Sequence, residues 1–171
     1  PDLIESAEVL QKAGAGIIAM PCNTAHHYLP QLQMRVRIPI LNMIEETGRA
    51  LGTTMPEVQT VGLLAMDGTV RSGVYHRVME SMGVRTLLPE YTFQSKVQTA
   101  IARVKAGKCD RVTRELFEAA AIRLVDAGSQ AIILGCTEIP LAFDPDAIDR
   151  PCLNPARILA QAAVDWALGA G

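Results

Sequence analysis

Residues 131–138, Ala-Ile-Ile-Leu-Gly-Cys-Thr-Glu, decide how this chain of 171 residues is read. Four apolar residues run into a glycine and then a cysteine followed by small polar side chains. This is the pattern of a buried strand that delivers a thiol to a strand-to-helix turn. It occurs twice. Residues 13–24 read Ala-Gly-Ala-Gly-Ile-Ile-Ala-Met-Pro-Cys-Asn-Thr, and a constant offset of 114 residues, the separation of Cys22 from Cys136, lays Ala13 on Ala127, Gly14 on Gly128 and Ile18 on Ile132. The same offset pairs Ala7 with Ala121 and Leu10 with Leu124, so a helix-glycine-strand-cysteine unit is repeated. Two like thiols at like places predict a pseudo-symmetric site.

Outward from these stretches, apolar runs alternate with helical periodicities. Leu3, Ile4, Ala7, Val9 and Leu10 predict an amphipathic helix over 2–12, opened by Pro1-Asp2 and stopped at Gly14. Further short strands are expected at 17–20, 38–43, 61–66, 85–88 and 150–154. A helix running through His27 towards Leu32 would be capped by Asn23 and Thr24. Others are expected from Glu45 to Gly52, from a turn at 67–72 to Met82, and over 93–104, 112–127 and 156–168, with 53–59 as a linker. Strands apolar throughout, alternating with helices, indicate parallel sheets covered on both faces: an α/β fold. Ligands of such folds bind beyond the carboxyl ends of the strands, where Cys22, Asp67 to Thr69 and Cys136 fall.

Composition excludes several functions. A net charge of −2 from scattered charges, with 4% aromatic residues, offers neither a basic groove nor stacking platforms, so no nucleic-acid partner is expected. Apolar runs fall short of the ~18–20 residues that span a bilayer, and no membrane partner is expected. Four cysteines, Cys22, Cys109, Cys136 and Cys152, are too few and too widely spaced for a disulfide scaffold. They predict free thiols in a reducing, cytoplasmic setting. No Cys-x-x-Cys occurs, and the adjacent His26 and His27 lack the helical spacing of a two-histidine site, so no metal is expected. His26 is expected as a partly buried helix histidine.

A lone cysteine beside a buried strand is ordinarily a small core residue. A matched pair, each next to a helix start whose free N–H groups favour thiolate and can hold a carboxylate, points instead to chemistry. Inverting a carbon that bears a hydrogen needs two such groups: one removes the proton from one face, the other returns a proton to the opposite face. For an amino acid the site must also stabilise the carbanion, with turn N–H groups in a desolvated pocket. Pyridoxal phosphate would require a Schiff-base lysine at the pocket. Lys12, Lys96, Lys105 and Lys108 all lie on predicted helices or their ends, so no cofactor is expected.

Met20-Pro21-Cys22-Asn23-Thr24-Ala25-His26 and Gly135-Cys136-Thr137-Glu138-Ile139-Pro140-Leu141 resemble the two signature cysteine motifs of the aspartate/glutamate racemase family, most closely its aspartate racemase branch. The resemblance runs through essentially the whole chain, including 42–47 and the Gly68-Thr69-Val70 turn with Ser72 and Tyr75. It implies cofactor-independent racemisation by Cys22 and Cys136, two pseudo-symmetric parallel-sheet α/β domains with the active site in the cleft between them, and a homodimer. The first domain would comprise 1–56 and 156–171, the second 57–155. Carried over, Asn23, Thr24 and Thr137 would hold the α-carboxylate and amino group of a small-molecule amino-acid substrate, with Thr69 lining the same cleft. Glu138 stands where glutamate racemases carry histidine, which favours aspartate, and Lys105, in a Lys-Ala-Gly turn, would bind the side-chain carboxylate. Glutamate, another acidic amino acid, or isomerisation or decarboxylation of a dicarboxylate are the rival activities; a ligand-binding or thiol redox-sensing protein is the rival of another class.

The first unit offers two strands against four in the second, and family members open with a strand and a glycine-rich loop. Residues upstream of Pro1, enough for about one more strand-helix-strand unit, are therefore expected.

Overall fold

The computed structural model describes residues 2–169. Pro1, which the sequence places before the first helix, and Ala170 and Gly171 lie outside the described residues. The chain opens with α1 (Asp2–Lys12), β1 (Ile18–Ala19), a 3₁₀ turn (Thr24–Tyr28), α2 (Leu29–Gln33), β2 (Ile40–Leu41) and α3 (Met43–Thr54). It continues with β3 (Thr60–Ala65), α4 (Asp67–Ser72), α5 (Val74–Ser81), β4 (Arg85–Leu87), α6 (Tyr91–Lys105), α7 (Arg111–Asp126), β5 (Ala131–Gly135), β6 (Cys152–Leu153) and α8 (Pro155–Ala167). Among the described residues β1 and β2 form one parallel sheet, and β4-β3-β5-β6 a second, also parallel.

The central strands β3 and β5 of the second sheet are buried on both faces, which is why they are apolar without alternation. Leu64, Ile132 and Leu134 turn to α6 and α7, where Val97, Ile101, Phe117 and Leu124 meet them. Val61, Leu63, Ala65, Ala131 and Ile133 turn to the opposite layer, filled by Val74, Tyr75 and Met79 of α5 and by Ile44 and Leu51 of α3. Helix α3 thus leaves the first sheet and covers the second. The terminal helix α8 packs along α3 and reaches back to β1 and β2, placing Trp166 close over Gly16. A third, smaller cluster of Ala7, Ile18, Leu32, Val36 and Ile40 closes the first sheet.

The internal repeat is visible in the backbone. Helices α1 and α7 end at Lys12 and Asp126, and each is followed by a left-handed glycine, Gly14 at φ 89° and Gly128 at φ 98°. A side chain at either place would strain the turn that aims the chain into its strand. After the strands the correspondence continues: Asn42 caps α3 by accepting from Ile44 N and Glu45 N, and Asn154 caps α8 by accepting from Arg157 N.

Three local expectations differ from the structure. The strands predicted at 17–20, 38–43 and 150–154 are only two residues long, each paired with one neighbour among the described residues. Residues 67–72 are helical rather than an open turn, and Gly73 at φ 66° separates them from α5. Cys22 and Cys136 both lead into 3₁₀ turns rather than directly into α-helices; the first, Thr24–Tyr28, runs on into α2 at Leu29, and the second spans only Ile139–Leu141.

Candidate active site

The sheet order places a switch point between β3 and β5, since the chain leaves β3 for β4 on one side and returns to β5 on the other. Strand ends on both sides of such a point open into one crevice. Gly135 sharpens the exit of β5: a Cβ there would lie 2.8 Å from Leu63 Cδ1 and 3.1 Å from Leu64 O. The next residue is Cys136, 8% exposed.

Cys136 Sγ donates to Glu138 Oε2 at 2.9 Å, and Thr137 Oγ1 donates to the same oxygen at 3.0 Å. Glu138 Oε1 faces Lys105 Nζ at 3.8 Å. That ammonium extends from the end of α6 and also touches Met66 Sδ, at 3.6 Å, just beyond β3. Burial first, then the hydrogen bond and charge of Glu138, push the Cys136 thiol up to about 12, with the Glu138 backbone N–H and the Lys105 charge opposing. For Glu138, burial favours the neutral acid, but hydrogen bonds from Cys136 and Thr137 and the Lys105 charge outweigh it and hold the carboxyl below its usual range. At neutral pH a thiol therefore stands beside a carboxylate. This corrects the expectation of a helix start favouring thiolate at Cys136: a single 3₁₀ turn supplies little dipole, and the adjacent carboxylate acts in the other direction.

The Cys22 side is built differently. Cys22 is exposed, and its thiol makes no hydrogen bond among the described residues. Its carbonyl lies 2.8 Å from His26 Nδ1, while His26 Nε2 is 3.0 Å from the Met43 N–H. A carbonyl can only accept and a backbone N–H can only donate, so the imidazole is neutral with its hydrogen on Nδ1. Burial lowers the pKa of this ring, against smaller opposing contributions from the Cys22 and Leu41 backbone and the Glu45 charge. His26 pins the turn after Cys22 to the first residue of α3, a structural task.

Asn23 and Thr24 do not cap the following turn as predicted: Asn23 is αR there and caps nothing. Their side chains are engaged across the fold instead. Asn23 Oδ1 accepts from the Tyr75 hydroxyl at 2.6 Å, and the hydroxyls of Thr24 and Thr69 share a hydrogen bond of 2.7 Å. Tyr75 is fully buried. Its pKa is raised, first by burial and further by the Cys136 charge, with the Thr47 hydroxyl opposing. The structure thus gathers Asn23, Thr24 and Thr69 into one group, with Tyr75 bonded to Asn23, and Cys136, Thr137, Glu138 and Lys105 into another. Tyr75 is the residue that sequence reasoning missed as part of the site. Its signal was present in the stretch from Gly68 to Tyr75 that carries the family resemblance.

A groove of about 720 Å³ between α3 and α8, with Leu41, Ala50, Ile158 and Trp166 on its walls, contains none of these residues. Among the described residues no group of three or more His, Cys, Asp or Glu side chains is placed to hold a metal ion. None of the described helices is long and apolar enough to cross a membrane.

Comparison with known proteins gives one consistent match. Residues 1–163 match the family described as Asp/Glu/Hydantoin racemase. The broad specificity amino-acid racemase RacX of Bacillus subtilis (strain 168) is 27% identical over 162 residues, covering 95% of this chain and 69% of that protein. A glutamate racemase from Deinococcus radiodurans is 30% identical over 141 residues, covering 77% of this chain but only 44% of that protein. Among solved structures, the Picrophilus torridus aspartate racemase superposes with a TM-score of 0.81 at 28% identity, covering 98% of this chain and 68% of that one.

Proposed function

The chain belongs to the Asp/Glu/hydantoin racemase family, and from that premise we propose that it is a cofactor-independent amino-acid racemase interconverting L- and D-aspartate, with Cys22 and Cys136 moving protons on opposite faces of Cα. The observation that carries this reading is the repetition of a strand-end cysteine in two corresponding units, one thiol exposed and the other held protonated by its surroundings.

In the direction where Cys22 as thiolate abstracts the α-proton, Cys136 presents an S–H for the opposite face. Delivery of that proton leaves a Cys136 thiolate beside the Glu138 carboxylate, an arrangement that favours taking a proton back and is tempered by Lys105. In the reverse direction the two thiols exchange roles. Asn23, Thr24, Thr69 and Thr137 bind the α-carboxylate and amino group. Glu138 is anionic and repels a carboxylate, so its place is beside the ammonium of the substrate, whereas Lys105 is left for the side-chain carboxylate. An acidic substrate with a short side chain suits this pairing of charges. The name of RacX, a broad specificity racemase, is the reason to test other amino acids beside aspartate and glutamate.

We also propose a cytoplasmic homodimer, and two units divided as 1–56 with 156–171 and 57–155; the contacts of α8 with β1 and β2 favour that division. The test of activity is incubation of the complete gene product with L-aspartate in D₂O without added cofactor. Deuterium at Cα and loss of optical rotation are expected. Unchanged rotation and no exchange, for aspartate and for every other amino acid tried, would overturn the proposal.

A further inference from the structure

Tyr75 makes its hydrogen bond deep in the fold and toward a residue of the other unit. It lies on α5, behind β3, where no part of its side chain is exposed. Its hydroxyl spans 52 positions of sequence to reach Asn23 Oδ1, in the turn after Cys22. Asn23 is itself 4% exposed. Its Nδ2 makes no hydrogen bond among the described residues, and it is not among the side-chain atoms that are both shut off from solvent and unpartnered. The amide is therefore divided: the oxygen is used inside the protein, and Nδ2 has no hydrogen-bond partner among the described residues.

The chemistry of an amide makes that division matter. An asparagine can turn over and present either its oxygen or its NH₂ group, and the two ends have opposite preferences for a carboxylate. A phenol buried beside it selects one orientation, because an O–H hydrogen without an acceptor in the interior carries a desolvation penalty. Burial also keeps the phenol protonated across the working pH range, so this donor does not disappear.

We propose that Tyr75 is a positioning residue for the reaction: its hydroxyl holds Asn23 with Oδ1 turned inward, so that both Nδ2 hydrogens are presented to the substrate carboxylate. The inference rests on the assignment of Asn23 to carboxylate binding made above. Tyr75 does not touch substrate; it sets the direction of a group that does.

The experiment compares steady-state kinetics on both aspartate enantiomers for the complete wild-type gene product, Tyr75→Phe, Asn23→Ala, the double variant Y75F/N23A, and Asn23→Asp. Tyr75→Phe removes one oxygen and is expected to raise KM roughly tenfold while kcat stays within about twofold, the signature of a contact equally strong in ground and transition states. In the Asn23→Ala background, where no amide remains to orient, the same change is expected to alter KM by less than about twofold. Asn23→Asp keeps an acceptor for Tyr75 but offers an anion to the substrate, and its KM is expected to exceed that of Asn23→Ala. Equal effects of Tyr75→Phe with and without Asn23, a wild-type KM in Tyr75→Phe, a kcat loss with KM unchanged, or loss of folding in Tyr75→Phe would each overturn the proposal. A wild-type KM in Asn23→Asp would do so without touching the phenol. An inactive wild-type enzyme would instead overturn the racemase assignment itself, so the two failures are distinguishable.

Discussion

Cys136 and Glu138 are joined by a hydrogen bond of 2.9 Å from thiol to carboxylate, and Lys105 stands 3.8 Å from the other oxygen of the same carboxylate. The carboxylate thus faces a proton donor on one side and a fixed positive charge on the other. Its charge stabilises the protonated form of the cysteine, and Lys105 limits how far that effect goes.

Replacing Glu138 by Gln removes the charge and keeps the shape. The Cys136 pKa is then expected to fall from about 12 but to remain above the ordinary thiol range, because burial, the larger cause, persists. The rate of alkylation by iodoacetamide against pH, resolved by peptide mass spectrometry, measures this. In the wild type Cys22, which is exposed, should alkylate well before Cys136. An unchanged pH profile of Cys136 in the variant would contradict the role given to Glu138.

Lys105 reaches into the site from a helix end and remains half-exposed, at 50% of its side chain. Lys105→Ala should raise KM for aspartate by about tenfold, as expected for a charged hydrogen bond in a partly solvated place, with little effect on any neutral amino acid that the enzyme accepts. Steady-state kinetics on aspartate and alanine compare the two. Equal losses on both would mean that Lys105 supports the fold or Cys136 rather than the substrate side chain.

His26 ties the carbonyl of Cys22 to the N–H of Met43 only while neutral. Its folded pKa lies below 6.5, so the unfolded chain takes up the proton first as the pH falls. Its contribution to stability is full above pH ~6.5 and declines below it, down to the folded pKa. Urea unfolding at several pH values, taken as the difference between wild type and His26→Leu, isolates this residue. The variant should lose about 1–3 kcal/mol at pH 8, with a smaller difference at pH 5. A difference that grew on acidification would contradict the assignment.

Much of this arrangement was legible in the residues. The 114-residue offset is more than a similarity of letters, because Gly14 and Gly128 occupy the same left-handed conformation and each feeds a strand with a cysteine beyond its end. The apolar runs at 61–66 and 131–134 indicated strands with both faces covered, and both faces are covered, by α3 and α5 on one side and α6 and α7 on the other. The proton state of Cys136 was not legible. It depends on the Glu138 carboxylate folding back over two residues and on Lys105 arriving from the end of another helix, neither of which has a sequence period. The task of Tyr75 was hidden for a different reason: it stands in the stretch that carries the resemblance, but a tyrosine among Val74, Val78 and Met79 has the pattern of helix core, and only the fold shows its hydroxyl at Asn23. Asn23 and Thr24 have the composition of capping residues, but cross-fold partners take their side chains.

The central claim is that two cysteines serve opposite faces of one carbon. The most direct measurement is exchange of the α-proton of D- and L-aspartate in D₂O, followed by NMR, in Cys22→Ala and Cys136→Ala of the complete gene product. Each variant should lose racemisation, and each should retain exchange of one enantiomer only, the opposite one in each case, since the surviving thiol removes and returns the proton on its own face. Racemisation at the wild-type rate in either variant, or exchange of the same enantiomer by both, would contradict the two-cysteine account.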